Sequence, residues 1–109
     1  MKQYILFLHE NPEAFAGVSP AQMQAIVAKY KAWRGQHAAS ITGGHKLREG
    51  EGRVIRAGAV TDGPYTEAKE VLGGIFTIMA AGYDDAVALA RTCPHVEFGA
   101  VEVREIEVV

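Results

Sequence analysis

Cysteine is almost absent from this chain. Cys93 stands alone in 109 residues, so no internal disulfide can form. A lone thiol fits a reducing compartment, and the cytoplasm is the expected location. Also missing is any apolar run near the roughly 20 residues of a membrane span. Near the N-terminus only Tyr4–Leu8 is continuously apolar, too short for the core of a secretory signal. Basic charge is in no excess: 11 Lys and Arg face 13 Asp and Glu, giving a net charge of −2 and a pI of about 6.1. Direct nucleic-acid binding needs a basic face and is not expected. Repeats, low-complexity tracts and linkers are lacking as well, so residues 1–109 read as one domain. The histidines at 9, 37, 45 and 95 have none of the close spacing of a metal site. Gly43-Gly44 and Gly73-Gly74 lack the Lys-Ser/Thr of a phosphate loop. Neither a metal nor a cofactor is expected.

What is present suffices for an ordinary core, with 49% hydrophobic and 22% charged residues. Lys2–Leu8 reads as a strand that is apolar on both faces: Tyr4, Leu6 and Leu8 against Ile5 and Phe7. His9 sits at the rim of the second face, and residues 10–17 read as a loop or a single turn. Ser19-Pro20-Ala21-Gln22 is a helix start with a capping box and Pro at the first helical position. Met23, Ile26, Val27, Tyr30 and Trp33 follow helical spacing to about His37 and are expected to be a core face. Residues 40–47 form a weak strand broken by glycines, with His45 in phase with Ile41 and Leu47. Residues 53–60 read as a short strand or a hairpin closing near Ala57-Gly58, and 72–80 is the strongest strand, again apolar on both faces. Asp84 and Asp85 open a second helix whose buried stripe is Ala86, Leu89, Ala90 and Cys93, stopped by Pro94. His37 and His95 read as helix-end and loop residues. Residues 98–108 form a last strand whose apolar phase flips near Glu105, the mark of a bulge or of a change of environment.

The order strand, helix, strand, hairpin, strand, helix, strand predicts an α+β, ferredoxin-like sandwich. Its two helices cover one face of the sheet only. Leaving several Phe and Ile side chains wet on the other is costly, at about 1.5–3 kcal/mol each. A face-to-face homodimer, with a pocket for a small molecule at the junction, is the direct solution.

The stretch Thr61–Gly74, TDGPYTEAKEVLGG, concentrates turn chemistry and charge. Asp62-Gly63-Pro64 is a turn with a mechanism: an Asx side chain, a glycine free to take positive φ, and a proline with φ fixed. Asp62 is a candidate general base or orienting carboxylate, or a turn cap. His45 is its candidate acid–base partner, with His9 as second choice, because imidazole titrates near neutrality. Tyr65, Glu67, Lys69 and Arg104 are candidate ligand-binding residues. Glu67, Lys69 and Glu70 read equally well as the solvated face of one helical turn, and Glu102 with Arg104 as a surface ion pair. Cys93, at a helix C-terminus, lacks the electropositive setting of a reactive thiol.

With that stretch, KQYILFLHE, GGHKL, DDAVALARTCP and GAVEVREI, the sequence resembles the YCII-related superfamily, in the branch known for its Asp-Gly-Pro-Phe (DGPF) motif. The resemblance implies a ferredoxin-like dimeric α/β-barrel, a suggested enzymatic activity built on a His and an Asp, and for this branch an association with extracytoplasmic-function sigma factors. The motif falls on Asp62, Gly63, Pro64, Glu67, Lys69, Glu70, Gly73 and Gly74. Tyr65 stands in place of the usual Phe, Ala68 in place of Thr, and Glu105 in place of Pro. Met23–Tyr30 holds no His where the superfamily carries one, so His45 or His9 would have to serve. Three readings follow: a small dimeric enzyme doing lyase- or isomerase-like acid–base chemistry on a small metabolite, a non-catalytic ligand-binding module tied to transcriptional control, or a purely structural dimer.

Overall fold

The computed structural model describes residues 1–67 and 69–109, with Glu67 described in its backbone only. Four strands build the main sheet: β1 (Lys2–Glu10), β2 (Ile41–Lys46), β6 (Glu70–Ala80) and β7 (Gly99–Glu105). Their order is β2-β6-β1-β7, all antiparallel, with the short β5 (Thr66–Glu67) added against β6. Helices α1 (Pro20–Gln36) and α2 (Tyr83–Arg91) follow β1 and β6. This is the split β-α-β arrangement of a ferredoxin-like fold. A separate two-stranded hairpin, β3 (Arg53–Arg56) and β4 (Ala59–Asp62), is inserted between β2 and β6. Among the described residues no helix is long and apolar enough to cross a membrane.

The sequence accounts for most of these elements. At the start of α1, the Ser19 hydroxyl accepts from the Gln22 backbone N–H at 3.1 Å, and the Gln22 side chain accepts from the Ser19 N–H at 2.9 Å. Both are the reciprocal bonds of a capping box. Gly58, at φ 79°, closes the β3–β4 hairpin in the left-handed region that glycine reaches without strain. One expectation fails locally: Glu67, Lys69 and Glu70 do not share the face of a helical turn. Glu67 pairs with Glu70 between β5 and β6, and Lys69 takes φ 67°.

One face of the sheet carries the core. Tyr4, Leu6 and Ile78 are fully buried there, with Ile41, Phe76, Trp33, Ala86, Ala90 and Cys93 packed around them. The Trp33 ring meets Phe76 edge-on at 5.0 Å, and its indole N–H donates to the Thr92 hydroxyl at 2.8 Å. The stripe expected on α2 is therefore the buried one. On the opposite face Ile5, Phe7, Ile75 and Met79 are only half-buried, and neither helix covers them.

The stripe on α1 departs from expectation. Of its five members only Trp33 is buried; Met23, Ile26, Val27 and Tyr30 remain half-exposed. The reason lies beneath them. Gly44, Gly73 and Gly74 occupy the facing part of β2 and β6, and three positions without side chains leave the helix nothing to rest on. A cavity results.

Candidate functional site

The cavity, about 220 Å³, lies between α1 and the sheet. That exceeds the ~150 Å³ that holds a benzene ring in an apolar core. It is smaller than the roughly 300–1,000 Å³ of sites for drug-sized molecules. Its walls are apolar, with Phe15, Met23, Ile26 and Val27 on one side and Leu8 and Phe76 on the other. Its floor is polar.

Glu10, the last residue of β1, is the central feature. It continues the core-facing phase of Tyr4, Leu6 and Leu8, and it is 6% exposed. Among the described residues its carboxyl group makes no hydrogen bond; the nearest partner is His95 Nε2, at 3.8 Å. The Glu10 oxygens open onto the cavity, since among the described residues only the Tyr4 hydroxyl is both sealed from the surroundings and unpartnered, so a molecule in the cavity can reach them. Burial pushes its pKa above the usual carboxylate range, the Glu49 charge adds to this, and Lys46 opposes it. The room for this side chain comes from Gly73: a Cβ there would collide with Oε1 and approach Cδ to 2.7 Å. Residue 73 is also where β6 slips against β1, since Leu8 pairs with Gly74 and His9 with Leu72. Such a bulge re-aims neighbouring side chains.

His95 sits beside Glu10 on a 3-10 turn (Pro94–Glu97) and is 2% exposed. Its tautomer follows from its partners. Nε2 lies 3.0 Å from the His9 carbonyl, which can only accept, so Nε2 carries the hydrogen. Nδ1 then accepts from the Tyr30 hydroxyl at 2.9 Å. Burial holds the His95 pKa below the ordinary imidazole value; the bond to the His9 carbonyl pulls the other way. Burial also raises the Tyr30 pKa, keeping the phenol protonated. A chain of hydrogen bonds thus runs from α1 through the imidazole to the end of β1, beside the carboxyl group. Gly99 permits the approach, because a Cβ there would collide with the His9 carbonyl and sit 3.0 Å from Glu10 Cα.

The residues singled out from the sequence lie elsewhere. Asp62, at the end of β4, is exposed and paired with Arg53 Nε at 3.1 Å. No hydrogen bond or ion pair among the described residues joins it to His45. The expected phase of His45 is reversed, because a bulge at Thr42 changes the register. Ile41 pairs with Ile78 on the core face, whereas His45 pairs with Ile75 on the uncovered one. His45 also borders the cavity. His9 and Arg104 belong to the uncovered face as well, where His9 Nε2 lies 2.8 Å from Glu102 Oε1 and Arg104 stands opposite Ile5. Tyr65 is exposed, with the Arg56 guanidinium 5.5 Å from its ring centre. Lys69 is exposed in the β5–β6 turn, and the Glu67 side chain lies outside the described residues. Glu10, His95 and Tyr30, by contrast, were read as a loop residue, a loop residue and part of a core stripe. For Glu10 the signal was available: its phase on β1 is that of the buried face, and a glycine pair lies on the partner strand. For His95, nothing in the local sequence announces burial.

A second depression, between α2 and β7, is lined by Tyr83, Val87, Val96, Val101 and Val103 with Arg91 at its edge. Among the described residues no carboxylate or imidazole lines it, so they offer no acid–base pair there.

Strand order and cavity together define a ferredoxin-like α+β domain with a ligand-sized space under its first helix. The chain belongs to the YCII-related domain family, whose model matches residues 3–109. Its fold is similar to that of 5-chloro-2-hydroxyhydroquinone dehydrochlorinase (TftG) from Burkholderia phenoliruptrix AC1100, solved in complex with 2,5-dihydroxybenzoquinone. The TM-score is 0.53 over 96% of this chain and 93% of that one, at 15% identity, a likeness of fold alone. No curated protein matches the chain.

Proposed function

We propose that this chain is a small enzyme doing acid–base chemistry, lyase- or isomerase-like, on a small metabolite held in the cavity under α1. The observation that carries this is the Glu10 carboxyl group, set against a ligand-sized space with His95 Nε2 3.8 Å away and no hydrogen bond from the described residues. A bound molecule would supply the missing hydrogen bond. A carboxyl group whose pKa is raised is better placed to exchange protons near neutrality. Glu10 takes a proton from one atom of the substrate and returns it to another, so an isomerisation consumes none. In an elimination the abstracted proton and the leaving group depart together. His95, neutral and fixed by Tyr30 and the His9 carbonyl, positions the carboxyl group. That the fold-related TftG is a dehydrochlorinase complexed with a one-ring quinone agrees with this reading in the size of ligand.

The half-buried Ile5, Phe7, Ile75 and Met79 support pairing of two chains face to face as a dimeric α/β-barrel. The Asp62-Gly63-Pro64 motif supports membership of the DGPF branch, and the buried free thiol of Cys93 a cytoplasmic setting. Native mass spectrometry of protein purified from its own host identifies the co-purified molecule. Proton exchange of that molecule in D2O is then followed with wild type and Glu10→Gln. Loss of exchange by about 10²–10⁴-fold with binding retained is the expected result. Wild-type exchange in Glu10→Gln would remove Glu10 from the chemistry. A comparable loss in Asp62→Asn or His45→Gln instead would move it to the hairpin and the uncovered face.

A further inference from the structure

Charge around the cavity is lopsided. Lys31, Arg34 and Lys46 border it, Lys46 being paired with Glu49 at 3.7 Å, and among the described residues Glu10 is the single carboxylate to do so. The chain as a whole carries a net −2, so this local excess of positive charge runs against the global balance. Lys31 and Arg34 come from successive turns of α1, next to Val27 and Tyr30 on the same flank. Among the described residues neither has a carboxylate within ion-pairing distance. Lys29, off that flank, is held by Glu97 at 3.0 Å. The exposed cations therefore stand at the mouth, apolar side chains form the walls, and Glu10 waits at the floor.

Resting on the reading of this cavity as the active site, we infer that its ligand is a monoanionic, single-ring or similarly compact organic acid. Its anionic group lies against Lys31 and Arg34, its apolar body along Ile26 and Val27, and a hydroxyl or carbonyl at its far end meets Glu10. Two features decide this orientation. An anion at the floor would face a carboxyl group in a desolvated site, where like charges repel most strongly. At the mouth it meets two cations with no carboxylate partner among the described residues, one of them a guanidinium suited to bidentate contact with a carboxylate. The cavity volume limits the body to about one ring.

The probes are 4-hydroxybenzoate and its neutral isostere 4-hydroxybenzamide, titrated into the full chain and followed by amide NMR shifts. Binding of 4-hydroxybenzoate should move the amides of Tyr30, Gly73 and His95. The benzamide should bind about tenfold more weakly. Arg34→Met should weaken 4-hydroxybenzoate by about five- to tenfold and leave the benzamide unchanged, and Lys29→Met should alter neither. Equal affinity for the two probes, or indifference to Arg34→Met, overturns the anion assignment while leaving the cavity as the site. Absence of binding by 4-hydroxybenzoate overturns it as well. Shifts confined to Phe7, Thr77 and their neighbours on the uncovered face would overturn the cavity reading itself.

Discussion

Replacing Gly73 by Ala separates the site from the scaffold. The added Cβ would collide with Glu10 Oε1 and lie 2.7 Å from Cδ and 3.3 Å from Oε2, while no backbone atom lies in its way. Only the far end of one side chain has to yield. On the strand, Ala is favoured over Gly by about 0.5–1 kcal/mol. Displacing the carboxyl group costs a similar amount, so stability should stay within about 1 kcal/mol of wild type. Gly44→Ala is the contrast. Its Cβ would meet Phe76 ring atoms at 2.6 and 2.8 Å, and that ring is held edge-on by Trp33 at 5.0 Å. Overpacking of this kind costs about 1–3 kcal/mol. Gly74→Ala meets the His45 carbonyl at 2.8 Å, a backbone contact on the neighbouring strand, and belongs with Gly44→Ala. Urea unfolding of the three variants, with 4-hydroxybenzoate titrations beside it, reads both quantities. Gly73→Ala should lose ligand binding at near-wild-type stability, and the other two should lose stability first. If Gly73→Ala binds the probe normally, or is as destabilised as Gly44→Ala, the seat described for Glu10 is wrong.

The buried pair predicts opposite pH effects. Because the folded pKa of His95 is lowered, the unfolded chain binds more protons as pH falls through about 6.5, and stability is lost there. The raised Glu10 pKa favours the folded state as pH falls toward about 4.5, so Glu10→Gln should steepen acid destabilisation and His95→Phe flatten it, read from urea midpoints at pH 7.5, 5.5 and 4.5. Thr92→Val removes the acceptor of the Trp33 indole and should cost about 1–3 kcal/mol, measured by the same unfolding. Tyr4→Phe should be neutral or stabilising by about 1 kcal/mol, because among the described residues the buried Tyr4 hydroxyl has no partner; a clear loss in melting temperature would reveal one. Phe7→Lys on the uncovered face should turn a dimer into a monomer in sedimentation at micromolar concentration, and a wild type that already sediments as a monomer would refute the pairing.

How far the sequence could be followed depends on distance along the chain. Ser19-Pro20 and Gln22 cap α1 through bonds spanning three residues, and they do so as read. The two-sided strands 2–8 and 72–80 disclose the central pair β1 and β6. Parity failed at His45, where one extra residue at Thr42 turns the side chain to the other face, and a bulge has no period to announce it. Asp62 drew attention by its turn motif, yet it stands on a hairpin outside the main sheet. Glu10 could have been found from its phase, although Asn11-Pro12 beside it reads as loop.

By itself, then, the amino-acid order determined the strands and helices, their caps, and a surplus of apolar surface on a sheet with two helices. These depend on spacing between near neighbours, which side-chain alternation and backbone sterics make readable. Tertiary structure alone decided that α1 stands over a floor of glycines, and that His95 lies beside Glu10 although 85 positions separate them in the sequence. Burial, and the proton affinities that follow from it, belong to residues brought together by folding. No local pattern records that meeting.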